Sequence, residues 1–392
     1  MKSLCICATL SLMLTIPAVG AEIYESLKKF QLSGGSAAVK NLTLRRDRVE
    51  MTFNGTFYFE GPVAGAVRGA VFLGQGTFRA EGPPSPYERA HVRRMLGSEA
   101  IESDFRTAVL RFTDNTFEEI GTNVAPETYP PADAVTLAGS FDRQLLKETG
   151  LNTSARLAIS ILNRETPGFF LAQFDRGKRN RFTFLLDHQG RIPVATFNIS
   201  AGEIGLIFSH RQLPAGNDIW TVFYSLDSYK LGRAAYSDTY DLVGISNYTM
   251  QVDVREPARA LKLDVRMDCT SLADGLLAIP MSIGESLPET DSLRLKKTLR
   301  VKSARLGDGT PVEAIQEDWE GGLTFFLPAQ RKKGERFALE SSFEGDFMRD
   351  SPYSQDVYYP LGTSEWYPRH GYLNRSEFDI TFRHRKRHRV AS

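Results

Sequence analysis

The sequence of 392 residues holds three cysteines, and two of them, Cys5 and Cys7, fall within its first seven residues. Once a leader is removed only Cys269 is left, which excludes the disulfide framework of small secreted scaffolds. Flanked by Asp268 and Thr270 in a strand-like stretch, that lone thiol reads as buried packing rather than a nucleophile. A zinc helix of the H-E-x-x-H type is absent, because none of His91, His188, His210, His370, His384 and His388 is followed by Glu. A G-x-S-x-G nucleophile elbow is also absent. Ser209 and His210 are neighbours on an apparent strand, so their side chains point to opposite faces. Charge of one sign is not in excess: 48 Lys and Arg stand against 47 Asp and Glu, which gives no electrostatic case for nucleic acid or anionic lipid as a partner. Past the N-terminus the apolar runs are short and broken by charges, so no transmembrane span is expected.

The N-terminus itself is different. Lys2 precedes an apolar run from Leu4 to Ile16, too short to span a bilayer, and Val19-Gly20-Ala21 places small residues before Glu22. Residues 1–21 therefore read as a cleavable signal peptide, and the chain as exported, periplasmic or extracellular. The remainder has the length of two or three domains.

Alternating apolar residues dominate the stretch after the leader. Val39, Leu42, Leu44, Val49, Met51, Phe53, Phe57, Phe59, Val67, Val71, Leu73 and Phe78, punctuated by Asp47, Asn54-Gly55 and Gly61-Pro62, predict an antiparallel meander over 39–80. The glycines at 65, 69, 74 and 76 carry no Gly-Lys-Ser/Thr ending and read as bends or bulges. Tyr87–Leu96 reads as a short helix after the Pro83–Pro86 break, and Phe105–Phe112 as a strand. After a second break at 121–135, short helices are expected around Leu145-Leu146 and Leu157–Leu162, the second capped by Asn152 or Thr153. Strands return at 169–174, 181–186, 193–199, 204–208 and 219–226. Beyond a link at 229–235 come strands at 240–246, 248–254, 261–267, 276–279, 299–306, 312–316, 323–327, 337–343 and 378–382, a β-sandwich pattern. The fold class is mainly β: two consecutive β-rich domains, 22–234 and 235–392, each meander- or sandwich-like with a few short helices.

Few residues offer chemistry. His384 and His388 have helical i,i+4 spacing, but Arg383, Arg385, Lys386, Arg387 and Arg389 surround them and oppose a bound dication, so this basic stretch reads as a solvated end. Carboxylate pairs such as Glu118-Glu119 and Asp238 with Asp241 read as solvated. The aromatic pairs Tyr358-Tyr359 and Trp366-Tyr367 read as core or interface, with a glycan or peptide platform as the other use. No residue is assigned as catalytic, cofactor-binding or metal-ligating, and no cofactor is expected.

From Ser237 onward four stretches carry a resemblance. These are SDTYDLVGISNYTMQVDVRE, TLRVKSARLGDGTPVEA with its Asp-Gly turn, GGLTFFLPAQRKKGERFALESSFEG, and SEWYPRHGYLNRSEFDITFRHRKRHRVAS. Together they resemble the N-terminal β domain of the aminopeptidase N-like zinc metallopeptidases, over roughly residues 237–392. The last stretch keeps an aromatic and proline as Trp366, Tyr367 and Pro368, and the strand as Phe378-Asp379-Ile380. It lacks the Cys and Asp-x-Pro that the family places after that proline. In the family the zinc ligands and the G-x-M-E-N amine-binding loop belong to the next domain, and neither string occurs here. The resemblance therefore implies a non-catalytic N-terminal portion of an exported aminopeptidase-like protein, whose partner is a metallopeptidase catalytic domain or subunit. The other expectation is a stand-alone secreted β-sandwich that binds a peptide, a glycan or a cell-surface partner.

Overall fold

In the computed structural model, the alternation of the first half folds as one antiparallel meander. The structure describes residues 19–121, 124–125, 129–149, 152–177, 180–190, 202–213, 216–234, 241–255, 260–283, 298–316, 322–346, 348–351, 354–360, 366–371 and 375–390. Eight strands lie side by side in chain order: β1 (Ser36–Arg46), β2 (Val49–Phe59), β3 (Gly69–Ala80), β4 (Ile101–Phe112), β5 (Phe169–Asp175), β6 (Arg181–Asp187), β7 (Gly205–Leu213) and β8 (Gly216–Phe223). Asp47 and Arg48 close the first hairpin, with Asp47 in the left-handed region at φ 54°, which Asp tolerates in tight turns. Pairing of β3 with β4 shifts register between Leu73 and Gly76, and a Cβ on Gly76 would run into the Phe105 ring. Glycine thus marks the bulge because the backbone there passes beneath an aromatic.

Both faces of this sheet are covered, which is why β5, Phe-Phe-Leu-Ala-Gln-Phe-Asp, is buried almost throughout rather than on alternate residues. One face holds an aromatic core. The Phe53 ring centre lies 5.0 Å from those of Phe57 and Phe72 and 5.4 Å from that of Phe105. Phe105 in turn lies 4.7 Å from Phe174, and Phe182 lies 5.2 Å from Trp220. Each such pair contributes about 0.5–1.5 kcal/mol beyond its buried area. Around this core the sheet curls until its first hairpin meets the end of its last strand. There Asp47 accepts from the Leu226 amide at 3.0 Å and the Arg48 guanidinium sits 4.8 Å from the Phe223 ring centre. Helix α2 (Pro86–Leu96) crosses this end of the sheet, with His91 Nε2 3.3 Å from the Ile219 carbonyl. Ser85 caps α2, Pro86 opens it, and Gly97 ends it at φ 79°.

Three helices cover the other face: α1 (Val19–Lys29), α4 (Ala132–Thr149) and α5 (Thr153–Leu162). Short helices α3 (Thr116–Ile120) and α6 (Leu226–Lys230) lie in the connections. Two buried arginines tie the helices down. Arg111 of β4 pairs with Glu60 at 3.1 Å and donates to the Leu27 carbonyl in the last turn of α1 at 3.0 Å, where a cation is favoured by the helix dipole. Arg156 of α5 grips Asp187 of β6 through two bonds of 2.6 and 2.7 Å and reaches Glu165 at 2.6 Å.

The second half is a sandwich. Its larger sheet has the order β12 (Thr298–Leu306), β15 (Arg336–Asp346), β10 (Ala260–Ser271), β9 (Val243–Asp253) and β18 (Glu377–Arg383). A three-stranded sheet of β11 (Leu276–Met281), β14 (Leu323–Arg331) and β13 (Glu313–Ile315) packs on it, and β16 (Met348–Ser351) with β17 (Ser354–Pro360) forms a separate hairpin. Val265, Met267, Leu299, Phe325, Leu339 and Phe343 build the core between the two sheets. The back of the small sheet, with Ala278, Ile315 and Phe326, meets α1 and α5.

The mainly β expectation holds, with local differences. Helix α4 starts at Ala132, inside the expected break, because Pro131 serves as its cap and accepts the Val135 amide at 3.2 Å. The strands expected at 240–246 and 248–254 are one, β9, and its extra residue Ser246 is absorbed where pairing with β10 shifts between Asp268 and Cys269. Helix α1 and the β16–β17 hairpin are additional, and α1 runs through the expected leader cleavage point. Residues 1–18 and the strand expected at 193–199 lie outside the described residues.

Candidate interaction face

The parallel strand β18 pairs with β9 so that Phe378 faces Tyr248, Ile380 faces Met250 and Phe382 faces Val252. Residues two apart point to one side, so all three β18 side chains share the face on which the sandwich core is built. Tyr248 and Met250 are buried there in the sandwich core. On β18 itself Phe378 and Ile380 remain 49% and 36% exposed. The apolar inner surface of the large sheet is therefore only partly covered at β18, an overhang at the edge of the sheet.

An aromatic group borders the overhang. Phe378 stacks on Tyr248 with ring centres 5.2 Å apart and planes 4° from parallel, and Tyr367 meets both rings edge-on at 5.4 and 5.7 Å. Trp366 lies 5.1 Å from Tyr367. The segment that carries them is pinned by His370, whose Nδ1 lies 2.7 Å from the Pro280 carbonyl and whose Nε2 accepts from the Leu242 amide at 2.9 Å. That pair of partners selects the Nδ1-protonated neutral tautomer. Backbone bonds between Ser282 and Arg369, at 2.8 and 3.0 Å, complete the attachment. The basic stretch beyond β18 starts at the other end of the strand, where Arg385 donates to the Arg255 carbonyl at 2.7 Å.

The other sequence candidates do not converge on it. Cys269 is buried in the sandwich core, and burial pushes its thiol up to about 12, which leaves it protonated and unreactive near neutral pH. His384 and His388 do not form a helical pair: His384 Nδ1 lies 2.9 Å from the Arg385 carbonyl, and the His388 ring is 5.6 Å from that of Tyr358. Glu119 binds Arg46 at 3.1 Å rather than standing in solvent. Ser209 lies on β7, the His210 side chain is outside the described set, and so is Asp238. Among the described residues no group of three His, Cys, Asp or Glu side chains is placed to hold a metal ion. No described helix is long and apolar enough to cross a membrane.

Sequence reasoning missed the buried charges. Arg111 and Arg156 were absorbed into apolar runs, although an arginine within Ala-Val-Leu-Arg-Phe was a legible signal of a buried partner. Arg48 is the unusual one. Its side chain is almost wholly buried, lies 3.9 Å from Asp47, and none of its three guanidinium nitrogens has a hydrogen-bond partner among the described residues. Burial lowers its affinity for the proton, opposed by Tyr229 and the carboxylates of Asp47, Glu88 and Glu81.

No family model and no curated protein matches the chain. Solved structures that resemble it in part are M1 zinc metallopeptidases. The enzyme from Deinococcus radiodurans is 18% identical over 27% of this chain and 21% of its own, with a TM-score of 0.22. A mutant of it bound to a Tyr-Ser-Ala substrate is 17% identical over 30% and 25%, at 0.22. A two-domain M1 zinc metallopeptidase mutant bound to L-arginine is 19% identical over 36% and 32%, at 0.25. The matched region thus spans between 21% and 32% of the length of these structures.

Proposed function

We propose that this chain is the non-catalytic N-terminal portion of an exported aminopeptidase-like zinc metallopeptidase, a β scaffold that packs on a catalytic domain. The observation that carries the reading is the overhang of β18: Phe378 and Ile380 continue an apolar core face and stay 49% and 36% exposed. Exposed apolar surface of this kind, contiguous with a core, fits a packing interface. The Phe378-Asp379-Ile380 strand and the Trp366-Tyr367-Pro368 segment are also where the sequence most resembles the family. Residues 22–234 are then an additional N-terminal domain, and residues 1–21 the export signal.

The coding DNA beyond codon 392 tests this directly. An H-E-x-x-H within about 150 codons, a domain's length, in frame or after a frameshift, supports it, and unrelated sequence overturns it. At the protein level, Phe378→Asp with Ile380→Asp should abolish association with that catalytic domain, and circular dichroism of the variant checks that the fold is kept, since both side chains are partly exposed. The stand-alone binding reading rests on Trp366 and Tyr367, which are partly open at the border of the same face. Saturable binding to a peptide or glycan that Trp366→Ala removes, with no catalytic domain encoded downstream, would favour it.

A further inference from the structure

At the end of the curled sheet that α2 crosses, an open groove of about 840 Å³ lies between Met95 and Leu96 of α2, Arg106 of β4, the β5–β6 turn and Trp220 of β8. Its size falls within the range of about 300–1,000 Å³ typical of small-molecule sites. Two cations face it without a counter-ion. Arg106 is exposed and makes no ion pair among the described residues. Arg176 lies over an aromatic pair, its guanidinium carbon 5.4 Å from the Trp220 ring centre and 5.7 Å from that of Phe182. Asn180 accepts one bond from Arg176 at 2.5 Å, while its Nε is buried without a partner. The third arginine of the groove, Arg181, is neutralised by Asp175 at 3.0 Å.

Packing alone does not account for this arrangement. A guanidinium laid on Trp220 gains a cation–π contact, but a desolvated cation with a vacant donor is normally matched by an anion. Burial is the sole cause that lowers Arg176 from its ordinary range, with no carboxylate opposing it. The wall opposite is apolar: Met95 and Leu96 are each 37% exposed, which is unusual for two adjacent large apolar residues at a helix end. Asp218 on the remaining wall would repel a second negative charge.

We infer that this groove binds an apolar monocarboxylate, of which a medium-chain fatty acid is the simplest, with its carboxylate on Arg106 and Arg176 and its chain along Met95, Leu96 and the Trp220 edge. This site lies in the first half of the chain and does not depend on the scaffold reading. Isothermal titration of the full chain with sodium decanoate, kept below its micelle concentration, tests it. The expected result is saturable one-site binding that Arg106→Ala and Arg176→Met each weaken about tenfold, the scale of a lost charge-assisted hydrogen bond. Arg45→Ala, which removes an exposed arginine of β1 paired with Glu50, should leave binding unchanged. Arg106 is exposed, so its variant stays folded and decides the matter even where Arg176→Met disturbs the aromatic core. Absence of saturable decanoate binding, equal binding by the Arg106 variant, or inorganic phosphate binding as tightly as decanoate would overturn the inference.

Discussion

Replacing Arg156 by methionine should destabilise the first half of the chain severely. Arg156 donates three bonds of 2.6–2.7 Å to Asp187 and Glu165, and all three side chains are almost wholly buried between α5 and the sheet. Burial alone would lower the guanidinium, yet the two carboxylates outweigh it and hold it above its ordinary range. Methionine fills the aliphatic volume next to Phe169 but takes the cation away from two carboxylates in a site closed to water. Breaking a buried ion pair from one side costs about 3–5 kcal/mol, because the partner's desolvation is no longer offset. The triple variant Arg156→Met, Asp187→Asn, Glu165→Gln strands no charge and should recover most of that loss. Urea unfolding followed by circular dichroism at pH 7 reads both. A single variant within about 1 kcal/mol of the parent at pH 7, or a triple variant as unstable as the single, would refute the reasoning.

Three further outcomes concern other parts of the molecule. Burial raises Glu88, which accepts from the Tyr229 hydroxyl at 3.3 Å. Its protonated form favours folding below the unfolded value and that contribution is lost as pH rises through the raised one, so Glu88→Gln should match the parent at pH 4 and exceed it in thermal stability at pH 7. Phe105→Ala removes the ring between Phe53, Phe72 and Phe174 and should cost about 3–5 kcal/mol by chemical denaturation, whereas a loss below 1 kcal/mol would mean that the aromatic core collapses to fill the gap. The peptide containing Cys269 should remain unmodified by iodoacetamide at pH 8 in the native protein and become fully alkylated in urea, as mass spectrometry would show.

The strands were legible wherever one face alone decides burial. Val49, Met51 and Phe53 alternate because β2 has a core side and a less buried side, and helix α2 was legible as Tyr87–Leu96 after the Pro83–Pro86 break, although its Ser85 cap and Gly97 stop were not used. Asn152 was recognisable as a cap, and its side chain accepts the Ala155 amide at 2.7 Å. Legibility failed where tertiary context overrode local chemistry. Pro130-Pro131 reads as a break, yet a proline is also well placed before a helix's first turn, and only the sheet behind α4 selects that use. The expected gap between strands at 240–246 and 248–254 falls on Asn247, but that residue lies within β9, next to the bulge that lets the strand continue. At the candidate face, the Trp366-Tyr367 and Phe378-Asp379-Ile380 patterns were visible, whereas their exposure was not. Phe-Asp-Ile-Thr-Phe is the pattern of a half-buried strand, and its partly exposed state depends on what the rest of the fold lays against it, which no local pattern encodes. The groove on α2 was invisible for the same reason: Arg106 and Arg176 are 70 positions apart in sequence and meet only because β4 and β5 are adjacent in the sheet.

The seam between the two halves links these features to the export reading. Asn163, at the end of α5, uses its side-chain amide as a strand partner for β11: Oδ1 accepts from the Leu277 and Ala278 amides at 2.8 and 2.9 Å, and Nδ2 donates to the Ala278 carbonyl at 2.9 Å. The free edge of the three-stranded sheet is thereby covered without a fourth strand. Helix α1 flanks the same seam, where Gly20 packs on Phe326 and the Ala21 amide donates to Glu313 at 3.3 Å. Cleavage after Ala21 would remove both contacts. The anchors that hold α1 to the sheet, Tyr24, Leu27 and the Arg111 bond to the Leu27 carbonyl, all lie beyond that point. Processing would then leave α1 docked, with its new ammonium group at Glu22 close to the Glu313 that loses the amide, so that one charge-assisted contact can replace the hydrogen bond removed.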